Sequence, residues 1–169
     1  YQRQGLSGND YPVKVVFGEA KSFGFEAFKT DDIARMKALA VRFPGSILVF
    51  STMKDANELS KSEIDNLSGI AEWGREFDRL RRHTRAPVII LTGTELFAPY
   101  SLRRRWEEIG GQHAQLISHG MTRIDNLRVL ADITQQLYLN MPPYHEWYRA
   151  KSEKRARRHI DRNPILDNG

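Results

Sequence analysis

Apolar residues fall along this chain first in short runs and then in helical stripes. Val13-Lys14-Val15-Val16-Phe17 is a β-branched and aromatic run after the turn-prone segment Ser7 to Pro12. It predicts a strand entered from a hairpin or loop, with the residues before the turn as the end of a partner strand. From Thr30 the period lengthens. Thr30 can cap, Asp31 and Asp32 suit a first turn, and Ile33, Met36, Ala40 and Phe43 recur at helical spacing until Pro44-Gly45 stops them. Ser46 to Thr52 is apolar without strict alternation, which predicts a strand covered on both faces. A long helix is expected from Ser60 or Ser62 to about Arg82, with Ile64, Leu67, Ile70, Ala71, Trp73, Phe77 and Leu80 as its stripe. Pro87 to Thr92 is the next buried strand. Beyond Pro99 the pattern is helical, with Ser101 to Ile109, a middle segment, Ile124 to Asn140 and Tyr144 to Arg162, before a frayed end from Asn163 to Gly169.

The order strand, helix, strand, helix, strand implies parallel neighbours joined by right-handed crossovers, and so an α/β sheet with helices on both sides. We divide the chain into a core over residues 1–98 and a helical C-terminal region over 99–169. At 169 residues a single hydrophobic core suffices without disulfides or a structural metal, and the chain has no cysteine. That excludes thiol nucleophiles and cysteine-based zinc sites. No internal repeat or low-complexity tract interrupts it. No stretch approaches the roughly eighteen apolar residues that cross a bilayer, and the first residues lack the apolar run of a signal peptide, so a cytoplasmic protein without a membrane partner is expected. The numbering opens on Tyr1-Gln2-Arg3-Gln4, which reads as the end of a structural element, so the chain is expected to be a piece of a longer protein. A net charge of +5 points to a polyanionic partner, because clustered lysine and arginine displace counterions from phosphates.

The segment richest in chemistry is Val15-Val16-Phe17-Gly18-Glu19-Ala20-Lys21-Ser22, where a strand expected to be buried runs directly into an acid and a base two residues apart. Alternate side chains of a strand share a face, so Glu19 and Lys21 project together from one side of the sheet edge. Burying either charge without a partner costs several kcal/mol, so the two should pair or bind something. Phosphodiester hydrolysis uses both. A carboxylate, joined by at least one more acid, can hold Mg²⁺, and an ammonium beside it can orient the attacking water and stabilise charge on the phosphate. The plain alternative is a salt bridge protecting the end of an edge strand.

Gly18-Glu19-Ala20-Lys21-Ser22 resembles the Glu-x-Lys half of the PD-(D/E)xK nuclease signature, and the helix, strand, helix, strand succession after it is similar to the rest of that restriction-endonuclease-like core. The resemblance covers Val13 to Leu96. It implies that Glu19 ligates Mg²⁺ or Mn²⁺, that Lys21 is the catalytic lysine, that the backbone carbonyl of Ala20 adds a metal ligand, and that the substrate is DNA, cut by a module of a larger bacterial-type DNA-processing or defence protein. It also implies an acid one strand earlier. Asp10 is the only aspartate before Glu19, but it sits in a Gly-Asn-Asp-Tyr-Pro turn, where such residues commonly bond their own backbone. The other acid is therefore expected upstream of Tyr1, on a segment that also carries an opening helix and belongs to the same longer protein. The alternative within this fold is a catalytically silent module that binds nucleic acid or a protein partner.

Basic clusters occur at Arg79 to Arg82, at Arg103-Arg104-Arg105, and from Lys151 to Arg162. The first is read as the charged end of a helix, favoured by the helix dipole. The last places Lys154, Arg155, Arg157 and Arg158 on one helix after Trp147 and Tyr148, a surface that suits a DNA backbone as well as it suits solvent. Pro142 to Tyr148 is expected to dock that helix, given the area Trp and Tyr bury. The five histidines have no metal-binding spacing, and Thr92-Gly93-Thr94-Glu95 reads as an ordinary strand-to-helix turn.

Overall fold

The computed structural model describes residues 15–22, 26–78, 83–93, 96 and 125–162, without the side chains at 83, 125, 126 and 158–162. Asp10, residues 79–82 and residues 103–105 lie outside this set. Strand β1 (Val16–Lys21) leads through a loop to helix α1 (Thr30–Arg42), then to β2 (Ile47–Thr52), a single turn of 3-10 helix (Ala56–Glu58) and helix α2 (Lys61–Arg75). A two-residue ladder, β3 (Phe77–Asp78) with β4 (His83–Thr84), precedes β5 (Val88–Leu91), and helices α3 (Asp125–Leu139) and α4 (Tyr144–Arg162) follow. The protein is an α/β structure whose main sheet has the order β1-β2-β5, every pair parallel.

The strand pattern decides which helices cover which face. Leu48, Phe50, Val88 and Ile90 join Met36 and Ala40 of α1 and Leu67, Ile70 and Ala71 of α2 in one core, with Phe17 against it. The intervening residues Ile47 and Ile89 meet Ala131, Leu127 and Leu130 of α3 on the other side. Each buried aliphatic side chain of this kind stabilises the fold by about 1.5–3 kcal/mol. Because β1 is in register with β2, Glu19 lies opposite Phe50 and Lys21 opposite Thr52, on the face that α1 and α2 cover.

Helix ends follow local chemistry. Asp32 accepts from the backbone N–H of Lys29 at the start of α1 (3.0 Å), and Ser60 accepts from the amide of Glu63 at the start of α2 (3.3 Å). Asn140, with φ 52°, takes the left-handed conformation directly after α3, and Gly45, with φ 83°, takes it in the turn between the α1 cap at Phe43 and Ser46. Helix α2 is shorter than its apolar spacing predicts, stopping at Arg75 rather than near Arg82. A Cβ at Gly74 would meet the carbonyl oxygen of Ala86, so the returning chain is pressed against the last turn. Glu76 is extended, and Phe77, at helical spacing from Trp73, instead lies 45% exposed in β3. The basic cluster Arg79 to Arg82, expected at the end of this helix, lies outside the described residues.

The outer edge of β5 is closed by side chains. The N–H of Ile90 donates to Thr134 Oγ1 (3.2 Å) and Gln135 Nε2 donates to the carbonyl of Val88 (2.7 Å), both from α3. Arg75 then ties the end of α2 to the α3–α4 junction. It donates to Gln135 Oε1 (2.6 Å), to Asp132 Oδ1 (2.7 Å) and to the carbonyl of Pro142 (2.7 Å). No described helix is long and apolar enough to cross a membrane.

Candidate active site

Glu19 and Lys21 leave the same face of β1, as their spacing requires, at the C-terminal end of a parallel sheet, where α/β proteins place their ligands. Lys21 Nζ donates to Glu19 Oε1 at 3.1 Å and lies 2.8 Å from Asp32 Oδ2. Arg35, one turn further along α1, closes the figure. Its Nη2 lies 2.8 Å from Glu19 Oε2 and 2.9 Å from Asp32 Oδ1. Two carboxylates and two cations thus form a ring in which each acid contacts both bases. The side chains of Glu19, Lys21 and Asp32 keep 17%, 15% and 11% of their surface in solvent, whereas that of Arg35 keeps 57%. The site is recessed yet open to solvent.

The ring sets its own protonation. Hydrogen bonding to Asp32 does most to raise the Lys21 pKa above the ordinary lysine value; burial opposes it, and the hydrogen bond to Glu19 with the charges of both acids keeps the balance upward. Burial would lift the Asp32 carboxyl, but the hydrogen bonds from Lys21 and from the Lys29 amide, with the charges of Lys21 and Arg35, hold it below the usual carboxylate range. Lys21 is a cation at neutral pH, suited to stabilising negative charge and not to accepting a proton.

The chain's topology explains why Asp32 arrives here. A helix that follows a strand of a parallel sheet starts beside that strand's C-terminal end, so an acid in the first turn of α1 neighbours the last residues of β1. The capping bond to Lys29 then fixes its carboxylate. From the sequence, Asp32 has only that first-turn role, and Arg35 has no assigned role at all. The signal that would have found Asp32 is its place at the third position of the helix entered from the Glu19–Lys21 strand.

Among the described residues no three His, Cys, Asp or Glu side chains gather to hold a metal. Glu19 and Asp32 make a two-carboxylate set of hard oxygens, which is what Mg²⁺ takes from protein when water and phosphate fill its other positions. The Ala20 carbonyl is placed differently. Val15 and Lys21 direct their carbonyls at the amides of Ile47 and Met53 in β2 and just beyond it (2.9 and 3.3 Å), so alternation aims the Ala20 carbonyl at the outer edge of β1. Comparison of the chain with protein-family models, curated proteins and solved structures finds no match.

A second buried ion pair supports the neighbouring strand end. Lys54 Nζ donates to both oxygens of Glu63 at 3.0 and 3.1 Å, and Glu63 Oε2 also accepts from the Ser60 hydroxyl at 2.7 Å. Burial would raise the Glu63 pKa, but those bonds and the Lys54 charge hold it low. Gly93 donates to the Lys54 carbonyl (2.8 Å), and a Cβ there would lie 2.7 Å from the Met53 carbonyl oxygen. Thr92 is buried and Gly93 is packed against this strand end, whereas Thr94 and Glu95 of the same segment lie outside the described residues.

Helix α4 docks by its first turns. The Tyr144 amide donates to Asp132 Oδ1 (3.0 Å), Lys151 Nζ donates to Glu76 Oε1 (2.8 Å), and Lys151 and Arg75 sit 4.5 and 6.0 Å from the centre of the Trp147 ring. Beyond Lys151 the described side chains are exposed, including Lys154, Arg155 and Arg157. Arg158 continues the helix, but its side chain lies outside the described set. Nothing within the described residues joins this basic surface to the Glu19–Lys21 site.

Proposed function

We propose that the chain carries the catalytic core of a restriction-endonuclease-like, divalent-metal-dependent nuclease acting on DNA, as one module of a larger bacterial-type DNA-processing or defence protein. The observation that carries this reading is the meeting of Glu19, Lys21 and Asp32 within salt-bridge distance at a solvent-open strand end. Asp32 takes the part of the second acid that the Glu-x-Lys resemblance requires, so an upstream acid is no longer needed to complete a two-carboxylate set.

In this proposal Glu19 and Asp32 hold Mg²⁺ or Mn²⁺, which when bound acidifies a coordinated water and offsets charge on the phosphate. Lys21 fixes the two carboxylates relative to each other, because one ammonium bonds to both. It presents its positive charge to the non-bridging phosphate oxygens as they gain charge, the electrostatic contribution that is largest in a recessed, partly desolvated site. The exposed cations of α4 follow the DNA backbone.

The test is a plasmid-nicking assay with Mg²⁺ or Mn²⁺. The parent protein cuts and is silenced by a chelator, whereas Glu19→Ala and Lys21→Ala each cut at least about 100-fold more slowly, the scale of removing one preorganised electrostatic interaction. Equal cutting by all three refutes the proposal. The second reading, a silent module of the same fold that binds nucleic acid or a protein partner, draws on the complete mutual pairing of the four charges. It predicts salt-sensitive DNA binding that ignores Mg²⁺ and no turnover.

A further inference from the structure

One nitrogen, Nη2 of Arg35, lies 2.8 Å from an oxygen of Glu19 and 2.9 Å from an oxygen of Asp32. These are the two oxygens left over once Lys21 has taken the other oxygen of each carboxylate. A positive centre thus already occupies the place between the two acids where a bridging cation would sit. The cations around the two acids differ in exposure. Lys21 leaves the strand directly and is largely covered, so its position is set by the sheet. Arg35 reaches in from the solvent side of α1 on a long side chain that is 57% exposed, and only its tip is engaged. An exposed guanidinium held by two ion pairs is worth little over its hydrated state, because solvent screens the attraction and the flexible chain loses entropy.

Resting on the nuclease reading above, we propose that Arg35 is a built-in competitor for the metal, closing the Glu19–Asp32 pair in the free protein and swinging out to solvent when a divalent ion takes its place. The arrangement keeps two neighbouring carboxylates neutralised when no ion is bound, which spares the fold a like-charge repulsion. It also sets a threshold, since the metal must displace a cation rather than fill an empty site, and the apparent affinity falls accordingly. The released guanidinium remains tethered one turn from the site, so ion binding exposes a positive arm beside the carboxylates. Lys21 has no such freedom, since its ammonium is held by both acids from inside the recess.

Mn²⁺ titration of the full chain, followed by calorimetry, separates this proposal from its foundation. Arg35→Gln removes the charge at an exposed position away from the apolar core, and an unchanged circular dichroism spectrum with a single cooperative unfolding transition verifies that the fold is kept. It is expected to bind Mn²⁺ about tenfold more tightly than the parent, on the scale of the attraction removed. Glu19→Gln and Asp32→Asn lose that binding. Equal or weaker affinity in Arg35→Gln, with the parent still binding through Glu19 and Asp32, overturns the competitor role and leaves the metal site standing. Absence of binding in both parent and Arg35→Gln removes the metal site and the competitor role together.

Discussion

At the scale of single residues, two charged groups show how position alone changes what a side chain does. Arg75 and Arg35 are both arginines on helices facing acids, yet Arg75 is 5% exposed and Arg35's side chain is 57% exposed. Burial pulls the Arg75 pKa down, and the Asp132 charge works against that. Its guanidinium satisfies a carboxylate, an amide oxygen and a main-chain carbonyl at once. Removing it leaves the largely buried Asp132 carboxylate with the Tyr144 amide but without the cation it faces, so Arg75→Ala is expected to lower unfolding stability by about 3–5 kcal/mol in urea titration. A loss below about 1 kcal/mol would mean that water replaces the guanidinium and that the junction is not sealed. Nothing in the sequence singles out Arg75, because a basic residue in the last turn of a helix ordinarily faces solvent. Glu19 and Lys21 are legible for the opposite reason: a strand's two-residue period leaves no freedom about which side chains share a face.

At the scale of elements, hydrophobic period locates β2, α1 and α4 closely and β5 within a residue or two, and it implies the parallel order of the sheet. It fails at the end of α2. There Phe77 keeps the helical spacing, but the stop is made by close approach of the Ala86 carbonyl to Gly74, an encounter between distant residues that no local pattern contains. Asp32 is hidden in the same way, its first-turn role being readable locally and its approach to Lys21 arising only from the crossover. Helix α4 poses an element-scale question of its own, since it is exposed beyond its first turns and carries a run of cations. A helix polar on all sides gains little by packing on its own domain. Replacing Lys154, Arg155 and Arg157 together by alanine is expected to weaken duplex DNA binding. It should also reduce the slope of log affinity against log salt by roughly 2.7, about 0.9 for each phosphate that is no longer neutralised. An unchanged slope, measured by fluorescence anisotropy across a salt series, would assign that helix to another partner or to solvent.

At the scale of the whole molecule, the sheet is asymmetric in a way that concentrates chemistry at one side. Side chains from α3 cap the outer edge of β5, and Arg75 locks α2 to the α3–α4 junction, so that side serves the fold. Among the described residues the opposite side ends in β1, where Glu19 and Lys21 meet the first turns of α1 in a recess that solvent reaches. The proposed chemistry turns on Asp32 being the second acid, and Asp31 provides an internal control, adjacent in sequence but exposed where Asp32 is 8% exposed. The most direct measurement compares the rates of metal-dependent DNA cleavage by Asp31→Asn and Asp32→Asn proteins. Asp31→Asn should match the parent, and Asp32→Asn should fall at least about 100-fold. Parental cleavage by Asp32→Asn, or an equal loss in both, would contradict the site.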